Sequence, residues 1–320
     1  MNIDMRDAFF EKLVELARLD KRIIVLSADH GAFALKKFEE EMPERYINMG
    51  IAEQNMVGVA AGLAASGKIV FVYGISPFVS LRVLEQLTID VAAMQLPVNV
   101  ISVGAGFTYS TDGPTHQGLQ DISAVATIPG MTILNSSDPV NTRAFVEMAV
   151  SANRPHYIRI EKEKLPEFNR VSINENYLAK GFSILEFGSS QHLIITTGSL
   201  SHDVLAAVKV YEANFGSTPK VLDLHQIKPL SGDYLIREIE QSNVILTFEE
   251  SYAASGLAML ISQLCMQNKW KGELHSLGVN ENFVYLGSDR EMLKALYNLS
   301  QSGIYEFMRA NLPISSTAAL

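Results

Sequence analysis

Short runs of apolar, often β-branched residues alternate with stretches of helical spacing along the whole sequence, and that alternation restricts the fold more than any other feature. RIIVLSAD (22–29), IVFVYG (69–74), VNVISV (98–103), MTILN (131–135) and HYIRI (156–160) are strand-like, and most are apolar in succession rather than at every second place. Strands of that kind are buried on both faces, as in a parallel sheet covered by helices. The intervening segments agree. Residues 4–19 set Phe9, Phe10, Leu13, Leu16 and Ala17 at helical spacing, and 79–93 reads as another helix. A second alternation runs through HLIITTG (192–198), a helix from about 201, KVLDLHQI (220–227), VILTFEE (244–250), and helices near 255–267 and 289–301. The pattern predicts an α/β protein of two domains, each a mainly parallel sheet flanked by helices. The polar stretch 163–180 reads as a linker between a first domain at 1–162 and a second at 181–312, with 313–320 as a loose tail.

Composition narrows the function classes. The chain has 320 residues, 48% hydrophobic and 19% charged, enough for two buried cores. Its net charge of −9, from 26 basic and 35 acidic residues with no basic block, argues against a nucleic-acid surface. The lone Cys265 excludes an internal disulfide and a multi-cysteine metal site, and the 7 histidines lack metal-ligand spacing, so this chain by itself is expected to bind no metal. Gln95, Pro97 and Asn99 interrupt the most apolar stretch, and MNIDMRDAFFEKL has no continuous apolar core of the signal-peptide kind. A cytoplasmic protein with no membrane span is the expectation.

In open parallel sheets, ligands lie beyond the carboxyl ends of the strands, so the loops at 27–33, 48–53, 74–78 and 104–118 carry the interest. GIAEQNM (50–56) follows the strand-like YINM and places Glu53 at a strand-to-helix junction, where an acid is also an ordinary partner of the helix dipole. GAGFTYSTDGPTHQGLQD (104–121) holds Asp112 and His116, residues able to orient hydroxyl groups or exchange protons with them. A histidine held by a backbone carbonyl is the plain alternative. Gly104 and Gly106 do not begin a dinucleotide fingerprint, because Tyr109 takes the third glycine position and Pro114 interrupts any helix. GISPFVSLRVLEQ (74–86) sets Phe78 at the start of a helix, as core or as a stacking platform. Gly58 and Gly62 read as sites of close packing against the sheet or a second subunit.

GIAEQNM, the Phe78 turn ending in RVLEQ, and DGPTHQ (112–117) resemble, in order and separation, the pyrimidine-binding domain of transketolases. TTGSLSHDVLAA, VLDLHQIKPL and VLTFEESYAASGLA resemble that family's C-terminal domain. The resemblance covers nearly the whole chain but only two of a full-length transketolase's three domains. It implies that Glu53 hydrogen-bonds the pyrimidine ring of thiamine diphosphate, that Phe78 stacks on that ring, and that Ile51 and Arg82 belong to the same cofactor pocket. It implies catalytic parts for Glu53 and His116, donor hydroxyl contacts from His116 and Asp112, and substrate contacts from Arg6, Asp29 and Lys162.

The family's diphosphate and Mg2+ site, a Gly-Asp-Gly segment followed by an Asn, does not occur: Gly232-Asp233 precedes Tyr234, and Asp112-Gly113 follows Thr111. The resemblance therefore implies a C-terminal subunit of a split transketolase. A partner N-terminal subunit would bring the diphosphate and Mg2+, in an α2β2 assembly acting on sugar substrates. A 1-deoxyxylulose-5-phosphate synthase-like enzyme, the β subunit of a 2-oxo-acid dehydrogenase, and a non-catalytic scaffold subunit are the alternatives. The family's phosphate clamp is altered, with Phe33 in place of a serine, Gly104 of a histidine and Lys162 of an arginine, which predicts a sugar other than the common pentose phosphates.

Overall fold

The computed structural model describes residues 2–29, 31–168 and 177–313. Residues 169–176 of the expected linker and 314–320 of the expected tail lie outside the described residues. Two compact units divide the chain, Met1–Glu167 and Phe168–Leu320.

In the first unit, the strands β1 (Ile23–Ser27), β2 (Tyr46–Asn48), β3 (Ile69–Ile75), β4 (Val98–Val103), β5 (Thr132–Asn135) and β6 (His156–Ile160) stand in the order β5-β6-β4-β3-β1-β2. Every adjacent pair is parallel. All residues of β1, β3, β4 and β6 are buried, which is why their apolar runs are continuous. The helix α1 (Met5–Leu19) starts at Asp4, whose carboxylate accepts from the Arg6 amide, and it buries Phe9, Phe10 and Leu13. Phe9 meets Phe71 edge-on at 6.1 Å between ring centres, and Phe10 meets Tyr73 at 5.0 Å. Ile3–Asp4 pairs antiparallel with Lys164–Leu165, which keeps those residues of the polar stretch in the first unit. The helices α2 (Phe33–Glu41), α3 (Glu53–Ala65), α4 (Asp121–Ala126) and α5 (Pro139–Ser151) complete it.

Three local expectations need correction. The segment 79–93 is not one helix: Leu81–Val83 is a 3₁₀ turn, Leu84–Gln86 a short α-turn and Leu87–Ala92 a π-turn. The Thr88 hydroxyl donates to the Leu84 carbonyl at 2.7 Å, and the next amide bonds run five residues back, from Ala93 to Thr88 and from Leu96 to Val91. Phe78 accordingly stands in a turn, ahead of the helical residues. Gly58 and Gly62 do not pack against the sheet; nothing lies within 4 Å of where their side chains would begin, and both face outward.

The second unit holds β7 (Phe182–Phe187), β8 (Ser189–Thr196), β9 (Pro219–Leu224), β10 (Val244–Tyr252) and β11 (Glu273–Val279) in the order β11-β10-β8-β9-β7. Only β7 runs antiparallel, against β9. Around it lie α6 (Leu200–Phe215), α7 (Gly232–Glu240), α8 (Leu257–Gln267), α9 (Arg290–Leu296) and α10 (Gln301–Asn311). The stretch expected as one helix at 289–301 is two. Asn298 takes the left-handed conformation at φ 57°, and Ser300 caps a new helix by accepting from the Gly303 amide at 3.4 Å. Likewise the strand expected over 220–227 stops at Leu224, and Gln226–Lys228 forms a separate short strand. Among the described residues no helix is long and apolar enough to cross a membrane.

Candidate functional site

The loops after β2, β3 and β4 bring four of the expected residues into one row. Glu53 opens α3 and is 3% exposed. The chain reaches it through a tight turn in which Gly50, at φ 66°, donates its amide to Asn48 Oδ1 at 2.9 Å. Arg82 Nη1 donates to Glu53 Oε2 at 2.8 Å, and the Arg82 guanidinium lies 4.1 Å above the centre of the Phe78 ring. Gln54 Nε2 donates to the Arg82 carbonyl at 3.1 Å and so ties the 3₁₀ turn to α3. The other edge of the row is His116, whose ring meets Phe78 at 5.0 Å between centres and at 72°. His116 Nδ1 shares a 2.9 Å hydrogen bond with the Thr115 hydroxyl. Asp112 stands exposed on the same loop. Ile51, beside Glu53, is 80% exposed.

Arg6 and Lys162 flank the row through Tyr109, whose ring is 6.2 Å from that of His116. The Lys162 ammonium sits 5.2 Å over the Tyr109 ring. Burial pushes the Tyr109 hydroxyl above its usual range while the charge of Arg6 opposes that shift. Arg6 itself forks onto Asp4, with Nε donating to Oδ1 at 3.1 Å and Nη2 to Oδ2 at 2.8 Å. That pairing raises the guanidinium above its ordinary value. Arg6 also lines an open cleft of about 390 Å3 with Phe33, Lys36 and Tyr46. Asp29 takes the left-handed conformation at φ 59° and is tied to Asn48 at 3.4 Å.

Tyr109 escaped the sequence reading. Gly104 has φ 96°, and a side chain there would start 2.4 Å from the Tyr109 ring, so the tyrosine fills the place a residue at 104 would claim. The only sequence signal was the glycine itself, since a glycine at a strand end leaves room for a neighbour.

Comparison with known proteins identifies the family. The family model described as transketolase, pyrimidine binding domain, matches residues 1–167, and that of the transketolase C-terminal domain matches 186–304. The chain belongs to the transketolase family. One subunit of the apulose-4-phosphate transketolase of Phocaeicola vulgatus is 33% identical over 303 residues, covering 94% of this chain and 95% of that one. A 6-deoxy-6-sulfo-D-fructose transketolase subunit from a Clostridium species is 32% identical, covering 94% and 92%. A 1-deoxy-D-xylulose-5-phosphate synthase of Syntrophus aciditrophicus is 30% identical across 98% of this chain but only 48% of its own length. Among solved structures, a split gene transketolase described as an inactive β4 tetramer superposes with a TM-score of 0.86 at 28% identity, covering 98% of this chain and 99% of that one. The chain is thus a transketolase-type transferase, matched over nearly its whole length by proteins named as transketolase subunits and by a split gene transketolase.

Thiamine diphosphate is the cofactor that the family implies, and the residues fit its pyrimidine end. A buried carboxylate at a helix start lies within one arginine of a part-exposed aromatic ring, and the apolar Ile51 stands open beside them. For the diphosphate end the sequence offers no Gly-Asp-Gly.

Proposed function

We propose that this chain supplies the pyrimidine-side half of a ketol-transfer site and works only with a partner subunit that brings the diphosphate-binding domain and its Mg2+. The row Glu53–Arg82–Phe78–His116 carries the reading, because it sets a proton-sharing carboxylate, a ring platform and a hydroxyl-reading imidazole side by side. Bound thiamine diphosphate supplies the electron sink for the carbanion of two-carbon transfer. Glu53 would hold a proton at a pyrimidine nitrogen, and its burial keeps water from competing for that proton. Arg82 balances the Glu53 charge and, through its contact with Phe78, keeps the platform beside the acid. His116 and Asp112 would bind and orient the donor's hydroxyls. Arg6 and Lys162, with Asp29 on the neighbouring loop, face the far end of the substrate.

We infer a heterotetramer with two copies of each chain, in which the outward Gly58 and Gly62 face of α3 and Ile51 are covered by neighbouring subunits. A cytoplasmic setting fits the buried, unbridged Cys265. The substrate is a sugar other than the common pentose phosphates. Tyr109 fills the space beside Gly104, Lys162 offers a point charge without a fork, and Phe33 is 86% exposed at the cleft. The two relatives named above, subunits of an apulose-4-phosphate transketolase and of a 6-deoxy-6-sulfo-D-fructose transketolase, define the first substrates to try.

The test is reconstitution with a partner chain bearing Gly-Asp-Gly…Asn, assayed for ketol transfer on a panel of phosphorylated, sulfonated and unmodified ketoses. Transfer in the pair, absent from either chain alone, is expected. Pyruvate-dependent formation of 1-deoxyxylulose 5-phosphate in place of ketol transfer would overturn the reading.

A further inference from the structure

Strand β6 ends at Ile160; Tyr157 and Arg159 within it, and Glu161 just past its end, follow one another at a spacing of two, the period of a single strand face. All three are buried, at 0, 3 and 1% exposure, where polar groups persist only when they are held. Their hydrogen bonds reach the loop that carries Tyr109, Asp112 and His116.

The neck of that loop is a pair of backbone bonds, Gly106 N to Gly118 O at 3.0 Å and Gly118 N to Gly106 O at 2.9 Å. Arg159 Nη2 donates to the same Gly118 carbonyl at 2.5 Å, and its Nε donates to Asp121 Oδ2 at 2.9 Å. The Tyr157 hydroxyl donates to Asp121 Oδ2 at 3.0 Å and lies 2.7 Å from Ser102 Oγ and 3.4 Å from Ser76 Oγ. Ser76 belongs to the turn of Phe78, where its carbonyl accepts from Ser80 Oγ at 2.6 Å. Glu161 accepts from the Thr108 hydroxyl, which anchors the loop's opening residues. Gly118 is required at the neck, because a side chain there would start 2.4 Å from the Gly104 carbonyl. Strand β6 and the residue after it thus grip the His116 loop at its neck and near its start, and reach the Phe78 turn through Ser76.

We propose that Tyr157, Arg159 and Glu161, with Asp121, are positioning residues that set the His116 loop against the Phe78 turn. Without them the loop must be ordered by the substrate at each binding event, which weakens binding more than it slows the bound reaction. The effect on sugar binding rests on the function proposed above; the effect on the loop does not.

The experiment compares Tyr157→Phe, which removes one hydroxyl, and Arg159→Lys, which keeps the charge but not the fork, with Arg290→Lys as a control. Arg290 makes a similarly buried ion pair in the second unit, donating from Nη2 to Glu250 Oε2 at 2.8 Å. Hydrogen–deuterium exchange on the chain alone is expected to speed up about tenfold across 104–118 in the first two variants and not in the control, with the sheet strands protected as before. In the reconstituted pair, the ketose KM is expected to rise about tenfold with kcat within about threefold. Unchanged exchange at 104–118 in both variants would overturn the proposal, as would faster exchange spread evenly over the whole first unit. So would an unaltered KM in Tyr157→Phe despite a looser loop. A wild-type pair that transfers no ketol unit sinks the proposed function instead, and the exchange measurement still decides the positioning role.

Discussion

Glu53 is 3% exposed and ion-paired with Arg82 at 2.8 Å, so its replacement acts on charge as well as on any proton it shares. Glu53→Gln keeps the shape and the hydrogen-bonding reach but removes the charge. In the reconstituted pair it is expected to lower kcat by about a hundredfold or more, the range for loss of a positioned acid or base, while thermal unfolding shows the fold intact. Near-normal turnover would take Glu53 out of the mechanism. Restoring a histidine at Gly104 to recover use of pentose phosphates is expected to fail by itself. The new side chain would meet the Tyr109 ring at 2.4 Å from a backbone at φ 96°. Thermal unfolding of Gly104→His is expected to show a loss of about 2 kcal/mol or more, and a neutral change would mean that Tyr109 yields easily. His156 supplies a pH signature. It is wholly buried with Nδ1 2.8 Å from Asn99 Oδ1, and burial, aided by the charge of Arg154, lowers it from 6.5 to about 4. Between those values the unfolded chain binds the proton and the folded chain does not, so stability falls as pH falls from 6.5 toward 4. The expected loss is about 3 kcal/mol in urea unfolding, and His156→Gln is expected to flatten that slope.

At the scale of elements, local side-chain bonds decide where helices start and break. Glu249, on β10, reaches across to α8, where Leu257 N donates to its Oε2 at 2.8 Å and Ala258 N to its Oε1 at 2.9 Å. A buried carboxylate so placed satisfies two open amides and faces the positive end of the helix dipole. Gly256 is what lets it approach, since a side chain there would start 1.9 Å from Glu249 Oε2. Glu249→Gln turns one acceptor into a donor facing an amide, and is expected to cost about 1–3 kcal/mol in thermal unfolding. No loss would show that water replaces the cap. The break in 79–93 has the same kind of origin. Thr88 bonds back to Leu84, the helix widens, and the residues before it are left as the turn that presents Phe78 and Arg82.

For the whole molecule, the incomplete cofactor site sets the expectation. The proposed site would take only the pyrimidine end of the cofactor and the sequence has no Gly-Asp-Gly, so titration calorimetry of the chain alone with thiamine diphosphate and Mg2+ is expected to show no tight binding. Tight, Mg2+-dependent binding by this chain alone would refute the split-site reading. Light scattering of the reconstituted pair is expected to give two copies of each chain, and a fully active one-to-one pair would count against that assembly.

Much of the fold was legible because its determinants are local. Unbroken apolar runs such as VNVISV can only be buried on both faces, and the glycine, proline and acid at strand ends mark where loops carry ligand chemistry. Glu53, Phe78, Asp112 and His116 could each be picked out from the segment around them. Their assembly could not. That Arg82 joins Glu53 to Phe78, that Tyr109 occupies the space beside Gly104, and that Arg159 closes the neck of the His116 loop are facts of contact, which no single segment records. HYIRI read as a strand, but nothing in it singled out Tyr157 or Arg159, nor Glu161 just beyond it. Only the order β6-β4-β3, which lays that strand beneath the loops of its neighbours, decided what they grip, because sheet order is set by packing between distant segments and leaves no mark in any one of them.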